Sequence, residues 1–208
     1  MSVIDQLATA RNIRGDEPNK ELARRIAAEM DKSAVTELVA GLKHPNPAIN
    51  SDCIKVLYEI GYLQPGLIAD HEDRFLNLLA GRDNRLIWGG MIAIATIAAV
   101  RADTLFLKRE QIIAAIAKGS VITVDAGIRA LARIAAAREE YRTALLPVLF
   151  EHLSRCRPKE APMHAEFIAD AVTPAYKSEF LAILEYRKAV FTPAQLQRID
   201  RLIRRLPS

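Results

Sequence analysis

Histidine and cysteine are the side chains of this sequence that most often ligate metals or act as nucleophiles. Their positions are His44, His71, His152, His164, Cys53 and Cys156. No two histidines stand four residues apart, no HExxH motif occurs, and the cysteines are distant, with no metal-ligand spacing. We therefore predict a structural or surface role for each histidine, and no metal site.

Other signatures of catalysis are also missing from the sequence. There is no glycine-rich phosphate loop, and no set of nucleophile, base and acid can be assembled from residue spacing. We therefore predict that the protein is not an enzyme and uses no cofactor. Two distant cysteines are typical of a reducing compartment, so we expect a cytoplasmic protein.

Neither secretion nor membrane insertion is predicted. The N-terminal stretch MSVIDQLATARNIRGDE carries an acid at Asp5 and no apolar h-region. The longest nearly uncharged stretch, LIWGGMIAIATIAAV at 86–100, is shorter than the roughly 18 residues that suggest a membrane span. A helix buried on most sides is the better interpretation of this stretch.

The composition favours closely packed helices. Half of the 208 residues are hydrophobic and only 6% are aromatic, while alanine, leucine and isoleucine are abundant. The formal net charge of +4 permits an acidic partner without requiring one.

An internal repeat organises these helices. LVAGLKHPNPAINSDCIKVLYEIG, FLNLLAGRDNRLIWGGMIAIATIA and IIAAIAKGSVITVDAGIRALARIA start at 38, 75 and 112, a period of 37 residues, and a weaker fourth copy starts at 149. Apolar residues recur at helical spacings, not in strand alternation. The shared apolar columns are Leu42/Leu79/Ile116/Leu153, Ile54/Met91/Ile128/Ala165, Leu57/Ile94/Leu131/Ile168 and Ile60/Ile97/Ile134/Ala171.

Each copy breaks into two amphipathic helices joined by a turn-forming segment: KHPNP, AGRDN, AKGSV or SRCRPKE. In HPNPAIN (44–50), Pro45 discourages helical dihedrals at His44, and Pro47 has φ already set for a first helical turn. The prolines end one helix and start the next antiparallel to it. Each copy is therefore predicted to be a helix hairpin.

An array of helix hairpins with a proline turn before the second helix resembles the HEAT and armadillo repeat families, over about residues 33–172. The family turn often has acids around its prolines and an arginine after them, where this chain has His44, Asn46 and Asn50. The resemblance implies an all-α fold, an α-α superhelix (a HEAT-like α-solenoid) of about four to five helix hairpins with capping helices. It also implies that the second helices line the concave side.

We predict one HEAT-like domain over residues 1–208. It divides into N-terminal capping helices (1–32), four repeats (33–172) and a C-terminal helix pair (173–208), because the ends of a solenoid otherwise expose an apolar face. Thr-Pro pairs at 173–174 and 192–193 predict helices at about 174–190 and 193–206.

Two helices are expected in the N-terminal cap. Ser2–Arg11 is a short helix candidate. A second helix opens at Asp16-Glu17-Pro18, with Leu22, Ile26 and Met30 predicted to point inward.

One column near the start of the second helices holds small residues in the first three copies of the repeat. Gly90, next to Gly89, aligns with Cys53, Gly127 and His164. Small side chains there let two helix backbones approach closely, so packing is the predicted role of the glycine pair. Cys53 is then expected to be a buried, inert thiol, too far from Cys156 for a disulfide.

The outward columns of the second helices predict a partner-binding groove. Its candidate residues are Tyr58, Glu59, Trp88, Ile92, Thr96, Arg129 and Arg133. Trp, Tyr and Arg often dominate interface energetics, and the stretch 86–100 has almost no polar residue to turn outward. The alternative is an ion-pair ladder, with Arg129 meeting Glu166 and Arg133 meeting Asp170.

The last predicted helix carries a second candidate surface. Its inward residues are Leu196, Ile199, Leu202 and Ile203, and its arginines are Arg198, Arg201, Arg204 and Arg205. These arginines either contact phosphates or simply stabilise the helix dipole and keep the helix in water.

These patterns favour a non-enzymatic scaffold or adaptor that binds a protein or peptide in the concave groove. The alternative is a nucleic-acid-binding protein related to the HEAT-like alkylpurine DNA glycosylases, with Trp88, Glu59 and Asp170 in their aromatic and carboxylate roles. Glu166 and Asp170 make the groove less basic than a DNA channel. A lyase, known among HEAT-like proteins, has only the fold in its favour. No membrane partner is expected, and self-association stays open.

Overall fold

Helices account for all regular secondary structure in residues 2–206, the part of the chain that the computed structural model describes. In chain order the α-helices are α1 (Glu17–Glu29), α2 (Lys32–Gly41), α3 (Pro47–Leu63), α4 (Pro65–Ile68), α5 (Glu72–Leu78), α6 (Asn84–Ile97), α7 (Ala102–Leu107), α8 (Arg109–Lys118), α9 (Val121–Ala137), α10 (Glu139–Arg155), α11 (Ala161–Ala169), α12 (Pro174–Arg187) and α13 (Pro193–Ile203). Short 3-10 helices lie at Ile4–Gln6, Ala69–His71 and Lys188–Val190.

The four copies of the repeat fold as four helix hairpins. Their first helices are α2, α5, α8 and α10 and their second helices are α3, α6, α9 and α11, while α12 packs against α10 and α13 against α11 as a fifth helix pair. The predicted all-α superhelix of about four to five hairpins is confirmed. The second and third repeats also contain an unpredicted short helix, α4 or α7, before the first helix. Three-helix and two-helix repeats are the armadillo and HEAT patterns, so this array contains both.

The turns inside the hairpins supply caps at the period of the repeat. Side-chain oxygens of Asn46, Asp83 and Ser120 accept hydrogen bonds from backbone N–H groups two or three residues later, at 2.9, 2.8 and 3.4 Å. Each cap satisfies one of the N–H groups that a helix start leaves without an intrahelical partner. The fourth copy has Arg157 at this position, and α11 begins only at Ala161.

The predicted apolar columns meet in a continuous core. Leu57, Ile94, Leu131 and Ile168 are completely buried, and the other columns are buried as well, except that Ile116 is half-buried at the edge of the core. Burying an aliphatic side chain of this size stabilises the fold by about 1.5–3 kcal/mol. The period therefore predicted the core residues correctly.

Consecutive second helices pack directly on one another, from α3 through α6 and α9 to α11. Consecutive first helices approach one another less closely. A stack curves toward the layer whose members lie closer together, so the second helices line the concave side. α1 packs against α3 and α13 against α11, which extends this inner layer at both ends.

The predicted packing role of the glycine pair in α6 is confirmed. A Cβ atom at Gly89 would lie 2.7 Å from Cγ1 of Ile54 on α3, and one at Gly90 would lie 3.0 Å from the carbonyl oxygen of Phe75 on α5. The two glycines thus let α6 approach the preceding repeat and its own first helix at once.

Two expectations for the N-terminal cap are wrong. Ser2–Arg11 contains only the 3-10 helix Ile4–Gln6, and its backbone is held in place by side chains: the N–H of Ala8 donates to Asn19 at 2.9 Å. Met30 is 51% exposed because it ends α1 in the left-handed conformation, with φ 53°, which turns its side chain away from the inward stripe. Leu22 and Ile26 are buried as predicted.

Within residues 2–206, no helix combines the length and the apolar composition that a membrane crossing requires.

Candidate binding groove

The concave face carries a cleft of about 190 Å³ where four second helices meet. Its lining residues are Tyr62 on α3, Ile92 and Ala95 on α6, Ile122, Asp125, Ala126 and Arg129 on α9, and Phe167 on α11. Among the predicted groove residues, Ile92 and Arg129 line this cleft directly. We refer to the cleft and its aromatic rim, Tyr58 and Trp88, as the concave groove.

Arg129 is held between two aromatic rings. Its guanidinium carbon lies 5.9 Å from the centroid of the Tyr62 ring and 5.5 Å from that of Phe167. Cation–π contacts of this kind contribute about 0.5–1 kcal/mol each at exposed sites. No carboxylate in residues 2–206 comes within 4.0 Å of its guanidinium nitrogens. Arg129 is therefore positioned by rings while its charge stays without an acidic partner.

Arg133 lies one helical turn further along α9 and is half-buried. Its Nη1 donates a hydrogen bond to the carbonyl oxygen of Ala95 at 2.6 Å, which ties α9 to α6. Burial and the neighbouring charge of Arg129 lower the pKa of the Arg133 guanidinium, and the charge of Asp170 opposes that shift. The groove thus contains two guanidinium groups close together.

The aromatic rim is built on α3 and α6. The Tyr58 ring lies 6.2 Å from those of both Tyr62 and Trp88, and the ammonium group of Lys55 sits 4.9 Å above it. Tyr58 is only 6% exposed, and burial raises the pKa of its hydroxyl. Tyr58 therefore supports the rim from below, and Trp88, which is half-buried, presents the surface.

Glu59 is engaged within the chain. Its carboxylate accepts a hydrogen bond from Lys55 Nζ at 2.8 Å, and the same ammonium group lies 3.0 Å from a carboxylate oxygen of Asp16, the N-cap residue of α1. This network joins the rim to the N-terminal cap and neutralises Glu59.

The placement of Thr96 in the groove is wrong. The side chain is 5% exposed, and its hydroxyl donates to the carbonyl oxygen of Ala93 at 2.7 Å. It fills the space beside Gly61, where a Cβ atom would lie 2.1 Å from Oγ1 of Thr96. α6 packs so closely on α3 at this point that Thr96, which was predicted to face outward, lies in the interface between the two helices.

Ion pairing in the array differs from the predicted ladder. Glu166 accepts two hydrogen bonds from Arg198, both at 2.6 Å, rather than pairing with Arg129. Among the described residues, Arg133 and Asp170 form no ion pair within 4.0 Å. The reason is that α13 packs against α11 and brings Arg198 to the Glu166 carboxylate.

The pairing of Arg198 with Glu166 also reduces the number of arginines that α13 can offer to a phosphate. Arg198 is not free to contact a phosphate, and its hydrogen bonds with Glu166 raise the pKa of its guanidinium. Arg201, Arg204 and Arg205 remain exposed, while Ile199 and Leu202 are buried as predicted. A phosphate-binding patch would consist of three exposed side chains only. Their positions do not distinguish binding to nucleic acid from simple exposure to solvent.

Two histidines that the sequence separates are in contact. His152 Nε2 lies 3.0 Å from His164 Nδ1, and His164 Nε2 lies 2.8 Å from a carboxylate oxygen of Asp125. Burial, with the charges of His164 and Arg187, lowers the pKa of His152 to about 4. Cys156 lies one turn after His152, and the ligating atoms of the two histidines and Cys156 are all within 4.8 Å of one another. His152, His164 and Cys156 therefore form one cluster, which the spacing of the histidines along the chain did not predict.

The remaining histidines and Cys53 have structural surroundings. His44 Nδ1 accepts a hydrogen bond from the backbone N–H of Asn46 at 3.0 Å, and burial lowers the pKa of His71. Cys53 is completely buried, and burial raises the pKa of its thiol to about 12. Cys53 is therefore the inert thiol that was predicted.

No family model and no curated protein matches this chain. A designed armadillo repeat protein in complex with the peptide (KR)4 superposes with a TM-score of 0.68 at 16% identity, covering 99% of this chain and 98% of the other. A computationally designed armadillo repeat protein for modular peptide recognition gives 0.65 at 16%, with 97% of each chain covered.

A natural protein with the same architecture is Kap121p. A mutant of it superposes with a TM-score of 0.65 at 16% identity, covering 90% of this chain and 20% of that one. At these identities the likeness concerns the fold alone. The chain has the HEAT/armadillo-like helical repeat fold that the period and the turn motif predicted.

Proposed function

We propose that this protein is a non-enzymatic scaffold that binds an extended segment of a protein or peptide in the concave groove. The observation that carries the proposal is Arg129, held between Tyr62 and Phe167 with no acidic partner of its own. An aromatic-flanked arginine in a concave, largely apolar cleft is the type of residue that dominates binding energy at interfaces.

The size of the cleft favours a peptide side chain over a small molecule. At about 190 Å³ it is smaller than the roughly 300–1,000 Å³ typical of small-molecule pockets. Ile92, Ala95 and Ile122 supply its apolar walls, which suit one aliphatic or aromatic side chain.

The charges of the groove favour an acidic segment. Arg129 and Arg133 lie on the same face of α9, while Glu59 is neutralised by Lys55 and Glu166 by Arg198. Asp125 is engaged by His164. The partner is accordingly a segment with an apolar side chain close to aspartate or glutamate, because it fills the cleft and pairs with the guanidinium groups.

Relatives in fold support binding of this general kind. One of the designed armadillo proteins was solved with the peptide (KR)4, and Kap121p was solved bound to Ste12p. Both cysteines of this chain are free thiols, which supports the cytoplasm as its compartment.

The test is a selection of short extended peptides displayed against the purified protein. We expect enrichment of peptides that combine an apolar residue with neighbouring acids. Arg129→Glu should weaken a selected peptide by about 2 kcal/mol or more, which is about 30-fold in Kd, and Trp88→Ala should weaken it as well. The matched control is Arg74→Glu on α5, an exposed arginine of the outer layer, which should bind like the wild type.

Circular dichroism and melting would show that the variants remain folded. Enrichment of basic peptides would contradict the proposal, as would equal affinity of the Arg129→Glu and Arg74→Glu variants for the selected peptide.

A further inference from the structure

One pair of facing positions differs in the fourth hairpin from the other three. In the first, second and fourth hairpins, residues twelve apart face each other across the interface between the two helices, and in the fourth hairpin they are the hydrogen-bonded pair His152 and His164. The pairs at the period of the repeat are Gly41/Cys53, Leu78/Gly90, Ala115/Gly127 and His152/His164. Three hairpins therefore place small or apolar residues at a position where the fourth places two imidazoles.

The approach at this position is also close in the first and second hairpins. A Cβ atom at Gly41 would lie 2.6 Å from Cys53 Sγ, and one at Gly90 would lie 3.1 Å from Leu78 Cβ. In the fourth hairpin the same closeness brings His152 Nε2 to 3.0 Å from His164 Nδ1. The backbone geometry of the repeat thus forces the two ring nitrogens together.

Cys156 adds a third donor to this pair. It follows His152 by one helical turn at the end of α10, and the ligating atoms of His152, Cys156 and His164 all lie within 4.8 Å of one another. Zinc bonds of about 2.0–2.1 Å to nitrogen and 2.3 Å to sulfur, in tetrahedral geometry, separate donor atoms by about 3.3–3.6 Å. The cluster is therefore already close to the donor spacing of a bound ion.

Asp125 supplies the support that metal-ligating histidines usually have. Its carboxylate only accepts hydrogen bonds, so the contact at 2.8 Å places the proton of neutral His164 on Nε2 and leaves the Nδ1 lone pair facing the cluster. A carboxylate that holds the far nitrogen of a histidine ligand is the common outer-shell arrangement. His164 is 1% exposed, so this orientation is held firmly by packing.

Solvent access and nearby charge are compatible with an ion. A cleft of about 370 Å³ opens beside the three side chains and is also lined by Glu160. Arg187 Nη1 lies 3.2 Å from Cys156 Sγ and also donates to the carbonyl oxygen of Leu153, so it is anchored where it can hydrogen-bond a thiolate. A thiolate and the Asp125 carboxylate together place two negative charges beside a divalent ion.

We propose that His152, Cys156 and His164 form a binding site for a divalent transition metal of the zinc class. Asp125 orients His164, and the cleft leaves the fourth position to water. Thiolate and imidazole donors select zinc, cobalt or copper over magnesium and calcium, which prefer oxygen ligands. The ion would hold α10 and α11 together in the hairpin whose second helix begins at Ala161 rather than at Pro158, where the period of the repeat would place it.

The test is a titration of the reduced, metal-free full-length protein with Co²⁺, followed by displacement with Zn²⁺. We expect a sulfur-to-cobalt charge-transfer band that saturates at one equivalent and is abolished by stoichiometric Zn²⁺. Cys156→Ala should remove the band. The matched control is Cys53→Ala, the buried thiol of the first hairpin, which should keep it.

A second variant keeps the test informative where Cys156→Ala does not fold. Asp125→Asn leaves all three ligands in place and should weaken Zn²⁺ binding about 10- to 100-fold through loss of the carboxylate support. The proposal is overturned by a wild-type protein that shows no charge-transfer band at one equivalent of Co²⁺. It is equally overturned by Asp125→Asn and wild-type proteins of the same affinity, or by a band that survives in folded Cys156→Ala.

Discussion

Gly61 has the closest neighbour of any glycine in the described residues, and Gly61→Ala therefore probes the packing of α3 on α6 directly. A Cβ atom there would lie 2.1 Å from Thr96 Oγ1, 2.9 Å from Thr96 Cβ and 2.9 Å from Ile68 Cδ1. Rotation about χ1 would move Oγ1 away, but Thr96 Cβ is fixed to the backbone of α6. The added methyl group must therefore separate α3 from α6.

Two opposing effects determine how much Gly61→Ala changes the free energy of unfolding. Replacing glycine by alanine inside a helix stabilises it by about 1 kcal/mol. Overpacking a tight interface costs about 1–3 kcal/mol, and the contact with a Cβ atom places this site in the upper part of that range. The expected net effect is a destabilisation of about 1–2 kcal/mol, or a fall in Tm of about 2–8 °C for a chain of this size.

Urea unfolding followed by circular dichroism measures this difference directly, and Gly66→Ala is the matched control. Gly66 lies five residues away in α4 with no atom within 4 Å of its added Cβ, so the same substitution should stabilise the protein by about 0.4–1 kcal/mol. Thr96→Ala in the Gly61→Ala background should recover part of the loss, because it removes Oγ1. A Gly61→Ala protein as stable as the Gly66→Ala protein would refute the packing argument.

Two further predictions concern a helix cap and an ionised carboxylate. Asp83 accepts hydrogen bonds from two backbone N–H groups at the start of α6, at 2.8 and 3.3 Å, so Asp83→Ala should cost about 0.5–2 kcal/mol in urea unfolding, and Asp83→Asn much less. A hydrogen bond from Ser2, and then one from the backbone N–H of Val3, lowers the pKa of Glu37 below its usual value. The ionised Glu37 carboxylate therefore stabilises the folded state fully above the unfolded-state pKa near 4.5. This stabilisation is lost as pH falls through the lower folded-state pKa. Stability measured from pH 6 to pH 3 should fall less steeply in Glu37→Gln than in the wild type, and parallel curves would contradict the assignment.

The aligned columns of the repeat predicted only some of the residues that line the groove. Ile92 and Arg129 face the cleft as their columns predicted, but Thr96 does not, because α6 packs closely on α3 there. Phe167 was not predicted, since the same column holds Val56, Ala93 and Ala130, which are completely buried. A phenylalanine is too large for a position where alanine fits, so it extends into the groove beside Arg129.

The histidine cluster could have been found from the aligned repeats. The spacing between histidines does not reveal the cluster, because the two ligand-type residues that lie four apart along the chain are His152 and Cys156. His164 joins them across the hairpin turn, twelve residues after His152. Two polar residues at facing positions that are small or apolar in the other three copies were the signal that the alignment already contained.

The period of the sequence determined the hairpins, their caps and the core columns, because these depend on spacings within one helix or one turn. The tertiary structure decided which charges meet. Arg198 pairs with Glu166, and Arg129 lies between Tyr62 and Phe167, over separations of more than thirty residues. Those contacts depend on how closely helices of different repeats approach, and that distance is determined by the packing of the whole stack rather than by any local pattern.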